Sequence, residues 1–164
     1  MRKRRDLKKR KGVSVCTFPA TKPMLRTIRV EGTLERDLCI HFELDESVVA
    51  YDSQPEPVQY KIDNEIHYYT PDFVVTFEDG TQEYIEVKEK RFLTDEVKEL
   101  LSLIGEYTLL EGISLRTLTE EYIRARPLLT NLRALHNARS IQEVDEESIA
   151  EISRLFEKHK AIAI

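Results

Sequence analysis

The chain has 164 residues, 41% of them hydrophobic, which is enough for one ordinary domain with tails. It contains no run of about 18 or more apolar residues, and no apolar stretch follows its N-terminal charges, so we read neither a membrane span nor a secretory signal and expect a cytoplasmic protein. Cys16 and Cys39 form no disulfide framework, and His41, His67, His136 and His159 show no ligand spacing, which argues against a zinc enzyme.

The net charge of −5 conceals an asymmetry. Residues 1–11 carry Arg2, Lys3, Arg4, Arg5, Lys8, Lys9, Arg10 and Lys11 against Asp6, a net +7 that leaves the rest of the chain at −12. Such a run binds phosphates without sequence preference, by counterion release, or else stays a solvated arm. From residue 12 to 30 no period persists around Pro19 and Pro23, and we expect an extended arm lying on the domain or on a partner.

Leu34, Leu38, His41 and Phe42 recur at helical spacing over 31–45, with Thr33 as the candidate N-cap and Glu35 at the border between core and solvent. A short strand over 47–51, a Gln54-Pro55-Glu56-Pro57 loop and a strand over 58–62 follow, with Asn64 near the next turn. The stretch 67–88 reads as a β-hairpin around Asp79-Gly80, because both arms are rich in Val, Ile, Phe, Tyr and Thr. A two-residue loop would mix polar and apolar residues on each face. A three-residue loop with Gly80 left-handed pairs Phe77 with Thr81 and puts Phe73, Val75, Phe77, Ile85 and Val87 on one side. That register sets Asp72 opposite Glu86, their Cβ atoms roughly 5 Å apart. Like charges so close repel unless a cation stands between them, and a divalent cation would serve.

After a basic loop, Thr94 caps a second helix whose Val97, Leu100, Leu101 and Ile104 mark the face packed on the sheet. Gly112 then precedes a strand over 113–118, suited to a buried sheet position and completing a βαβ crossover. Amphipathic pieces over 120–125 and 128–136, and a charged helix over 145–158, close the chain.

Asp72 after Pro71, followed by Glu86-Val87-Lys88, resembles the site of the restriction-endonuclease-like nucleases. On an exposed strand these residues could equally be a solvated face. In the resemblance the two carboxylates hold Mg²⁺, and Lys88 reaches the attacking water or the scissile phosphate. Leu34-Glu35-Arg36-Asp37, the stretch 45–49, Ser53-Gln54-Pro55, the stretch 69–74, Glu86-Val87-Lys88 and the ending from Gly112 to Ile123 are together similar to the TnsA family, the endonuclease subunit of heteromeric transposases.

The resemblance implies an α/β, restriction-endonuclease-like mixed sheet flanked by helices over 31–125, between a basic arm (1–30) and a helical extension (126–164). It implies cleavage of double-stranded DNA at transposon 5′ ends beside a DDE-type transposase and an ATPase regulator. It assigns Glu35, Asp72, Glu86 and Lys88 to catalysis. Glu35, Asp72, Glu86 and the Val87 carbonyl would hold one or two Mg²⁺ ions, with Mn²⁺ as a substitute. Gln54 matches the family's loop glutamine, with a DNA-facing or a purely structural role. Ser53 stands where many members have Glu, and this chain ends at Ile164 where the family continues into a winged-helix-like domain. A stand-alone nuclease such as a phage head-completion enzyme and a non-catalytic docking module on the same fold are the competing readings.

Overall fold

The computed structural model describes residues 15–22 and 27–138; the basic run 2–11 and the helix expected over 145–158 lie outside these. Its centre is the hairpin. Strands β6 (Phe73–Phe77) and β7 (Gln82–Val87) pair antiparallel, Phe73 with Ile85 and Thr76 with Gln82. The Phe77 N–H donates to the Thr81 carbonyl at 2.9 Å, and Gly80 has φ 80. This is the register expected from the apolar alternation. Strand β3 (Val48–Ser53) pairs antiparallel with β6, and β8 (Ser114–Leu118) pairs parallel with β7, giving the mixed sheet order β3-β6-β7-β8.

The expected hairpin is shorter than 67–88. Its first residues belong to β5 (Glu65–Tyr69), which pairs with β4 (Val58–Ile62) as a separate two-stranded sheet. Asp63 and Asn64, at φ 49 and 64, make the two-residue turn between them, the conformation that matches the twist of a tight hairpin. Pro71 has no N–H to give a ladder, and the chain changes sheets there.

One face of the main sheet carries helix α1 (Thr33–Leu44). Leu38 and Phe42 pack with Tyr51, Phe73, Val75 and Ile85, and the Phe42 ring lies 5.4 Å from that of Phe73. The segment expected as an extended arm supplies β1 (Val15–Pro19) and β2 (Thr27–Glu31), an antiparallel pair whose Phe18, Ile28 and Val30 enter the same core. Beyond β8, α3 (Glu120–Ile123) and α4 (Leu128–Ala138) pack on α1 and bury Ile123 and Leu129 there. Both flanking segments therefore share the core of the central region.

Helix α2 (Asp95–Leu110) bridges β7 and β8 and packs on β8 and β4, burying Ile104 and Thr108. Thr94 caps it, accepting from the Val97 N–H. Val97, Leu100 and Leu101, expected to be buried with Ile104, are only partly covered. Strand β8 is likewise not a buried central strand. It stands at the sheet edge with Ser114 and Arg116 exposed, and among the described residues no strand pairs with its outer side. Among the described residues no helix is long and apolar enough to cross a membrane.

Candidate active site

The register of the sheet assembles the site. With Phe73 opposite Ile85, the next position outward sets Asp72 against Glu86, and Glu86 is registered with Thr117 on β8. On the other side Ser53 pairs with Phe73, so Gln54 follows in line with Asp72, and its N–H donates to the Asp72 carbonyl at 2.9 Å. Four polar positions, Gln54 just past β3, Asp72 just before β6, Glu86 on β7 and Thr117 on β8, thus form a row across the sheet. Thr117 was not singled out in the sequence, because its place depends on the β7–β8 register.

Where Pro71 leaves the ladder, the Asp72 side chain takes over: its Oδ2 accepts the Val87 N–H at 2.8 Å. Lys88 Nζ lies 2.8 Å from Glu86 Oε1, with Glu86 buried and the Lys88 side chain about one-third exposed. Gln54 is held at φ 52, a left-handed conformation uncommon for a residue with a side chain. Its side chain is buried, and Oε1 has no hydrogen-bond partner among the described residues. A buried polar atom left without a partner is uncommon in folded proteins and asks for a reason.

Glu35 comes from the first turn of α1. Gly32 at φ 117, not Thr33, is the N-cap, and no side chain caps the helix. Glu35 Oε2 instead reaches back to accept the Glu31 N–H at 2.8 Å. The residue is buried rather than at a solvent border. Burial pushes its pKa well above the ordinary carboxylate value, and the charges of Asp72, Glu31 and Glu86 add to the rise against the Glu31 hydrogen bond. Burial likewise lifts Asp72 to about 7, followed by the charge of Glu86 and a hydrogen bond between the two carboxyl groups, with the Val87 N–H and Lys88 acting the other way. Three carboxylates therefore act on one another in a partly dry setting. Among the described residues, however, no three His, Cys, Asp or Glu side chains stand as a ready-made metal cage. The opposed pair is the tightest unit.

Two further acids on α1 have other partners. Glu43 is buried and accepts the Thr21 N–H at 2.9 Å, the Thr21 hydroxyl at 2.5 Å and the Tyr51 hydroxyl at 2.9 Å. Asp37, also buried, receives Arg124 Nε at 2.8 Å and Arg133 Nη2 at 2.6 Å. Neither has a partner legible in the sequence, since an acid inside a helical pattern carries no sign of partners eight to ninety-six positions away.

Residues 45–120 match the family model described as TnsA-like endonuclease N terminal. The matched stretch contains Gln54, Asp72, Glu86, Val87 and Lys88, whereas Glu35 and the rest of α1 precede it. No curated protein matches the chain.

Proposed function

We propose that the chain, whose residues 45–120 match the TnsA-like endonuclease N-terminal model, is a metal-dependent DNA endonuclease. In this reading it is the TnsA-like subunit of a heteromeric transposase, hydrolysing phosphodiester bonds at transposon 5′ ends beside a DDE-type transposase and an ATPase regulator. The observation that carries the proposal is the opposition of Asp72 and Glu86 with Lys88 held at its edge.

The donor set suits Mg²⁺, or Mn²⁺ in its place, because carboxylate and carbonyl oxygens are the hard ligands these ions take. Asp72, Glu86, the Val87 carbonyl and Glu35 would hold one or two ions. The partnerless Gln54 Oε1, on the loop bonded to Asp72, supports a polar guest at this spot. Bound there, the ion supplies a hydroxide nucleophile and charge neutralisation at the phosphate. The chain's own groups prepare the site. Asp72 is oriented by the Val87 N–H, Glu35 by the Glu31 N–H, and the Lys88 ammonium brings a positive charge to the partly open side, where it orients the attacking water or the scissile phosphate.

Nicking of supercoiled plasmid with Mg²⁺ and with EDTA, by the chain alone and together with its transposase, tests the proposal. We expect Mg²⁺-dependent nicking that Asp72→Ala and Lys88→Ala each abolish without lowering the melting temperature. Nicking that survives Asp72→Ala sinks the assignment. The arm residues Arg2, Lys3, Arg4, Arg5, Lys8, Lys9, Arg10 and Lys11 supply non-specific affinity, since the rest of the chain is acidic. Each phosphate neutralised contributes about −0.9 to the slope of log K against log salt. Deleting residues 2–11 is expected to flatten that slope by several units while leaving cleavage at saturating DNA intact. An unchanged slope would instead assign the arm to an acidic protein surface.

A further inference from the structure

A pocket of about 390 Å³ opens between the first turn of α1 and the α3–α4 segment, and four arginines line it: Arg36, Arg124, Arg126 and Arg133. The described residues contain seven arginines in all, and this one spot gathers more than half of them on a chain that is −12 outside its arm. Asp37 is the only acid lining the pocket among the described residues. It lies buried and fixes Arg124 and Arg133, while Arg124 Nη2 also donates to Thr33 Oγ1 at 2.8 Å. A guanidinium has five N–H donors, and these contacts use only part of those two forks. Arg36 and Arg126 are exposed and pair with no carboxylate among the described residues. The hydroxyls of Thr33 and Thr130 add neutral donors to the wall.

We infer that this pocket binds a backbone phosphate of the DNA on which the carboxylate site works, a proposal that rests on the reading of the chain as a nuclease. Two guanidinium groups held in place by a buried carboxylate and two without a counter-charge match the planar, multi-oxygen geometry of a phosphodiester. The uncapped start of α1 faces the same region, and a helix N-terminus favours negative charge. Position links the pocket to the chemistry. Arg36 follows Glu35 directly, so their Cα atoms are about 3.8 Å apart and their side chains about 100° apart around the helix. Phosphates recur every ~3.4 Å of rise along each strand of a duplex. A strand entering the carboxylate site can therefore place a neighbouring phosphate over the pocket, which positions the substrate without touching the reacting atoms.

The test is binding of a short DNA duplex to the full chain without metal, followed by fluorescence anisotropy over a salt series, for wild type, Arg36→Gln/Arg126→Gln and Lys98→Gln/Arg116→Gln. The last variant removes the same charge from ion-paired positions elsewhere on the surface. The pocket variant is expected to weaken binding at least roughly tenfold and to lower the salt slope by about 1 to 2, beyond any change in the control, with the same melting temperature as wild type. Affinity and slope equal to those of the control overturn the pocket, and wild-type nicking would then leave the nuclease reading standing. Loss of binding in the pocket variant, with a wild type that never nicks, supports the pocket and sinks the nuclease reading.

Discussion

Helix α1 holds two buried glutamates eight residues apart, and their surroundings are opposite. Glu43, near the C-terminal end, is surrounded by donors. Burial pushes its pKa up, but hydrogen bonds from Thr21, Tyr51 and Lys22 outweigh this and leave the group below its ordinary value. Glu35, near the N-terminal end, has one backbone N–H and faces Asp72 and Glu86. One carboxylate ties the β1 segment and β3 to the helix. The other sits among like charges, an arrangement with no value to the apo fold and considerable value to a cation. The difference separates an acid that serves architecture from one held ready for chemistry.

The largest effect expected is on activity. Asp72→Asn and Glu35→Gln should each reduce Mg²⁺-dependent nicking by about a thousandfold, since each removes several kcal/mol of charge stabilisation, while urea denaturation without metal shows unchanged or slightly raised stability. Glu43→Ala should do the reverse. It removes the acceptor shared by the buried Tyr51 hydroxyl and the exposed Thr21 N–H and hydroxyl, at a cost of about 2 kcal/mol, with nicking per folded molecule retained. If Glu35→Gln destabilised as much as Glu43→Ala, the contrast between the two ends would collapse.

Titration separates the two ends again. Asp72 has its pKa raised from an ordinary 3.8 to about 7, so the folded state holds its proton more tightly than the unfolded chain. The associated stability is fully present below about pH 4 and is lost as pH rises through about 7, with Glu35 extending the loss to higher pH. Glu43, lowered, contributes stability above its unfolded pKa that is lost as pH falls through its folded one. Without metal, the melting temperature should fall by about 5 °C between pH 5 and pH 8, and saturating Mg²⁺ should abolish that fall. A metal-free protein with constant melting temperature over this range would contradict the repulsion. The smallest effect belongs to Gln54. Gln54→Gly relieves a left-handed conformation and should gain about 1 kcal/mol, while weakening cleavage.

The hairpin was legible because its period-two alternation and Gly80 fix the register locally, and the register alone sets Asp72 against Glu86. The Thr94 cap and the parallel return of β8 followed from short-range signals as well. What escaped was long-range. The five-residue strands β1 and β2 are too short to show a sustained period, and Gly32 displaces Thr33 as cap because the chain enters α1 at a positive φ. The arginine pocket joins residues 36 and 124–133, a separation at which single-sequence patterning has no purchase. Gln54 could be read equally as a loop strut from its sequence; its partnerless Oε1 is a property only of the folded chain.

The hydrogen bond from Val87 N–H to Asp72 Oδ2 carries one more consequence. At that point a side chain fills the place of a ladder carbonyl, so a backbone amide proton reports directly on the charge of a site acid. Its NMR chemical shift should move with the ionisation of Asp72 and again when a cation competes for the carboxylate, giving the site a spectroscopic readout that needs neither DNA nor turnover.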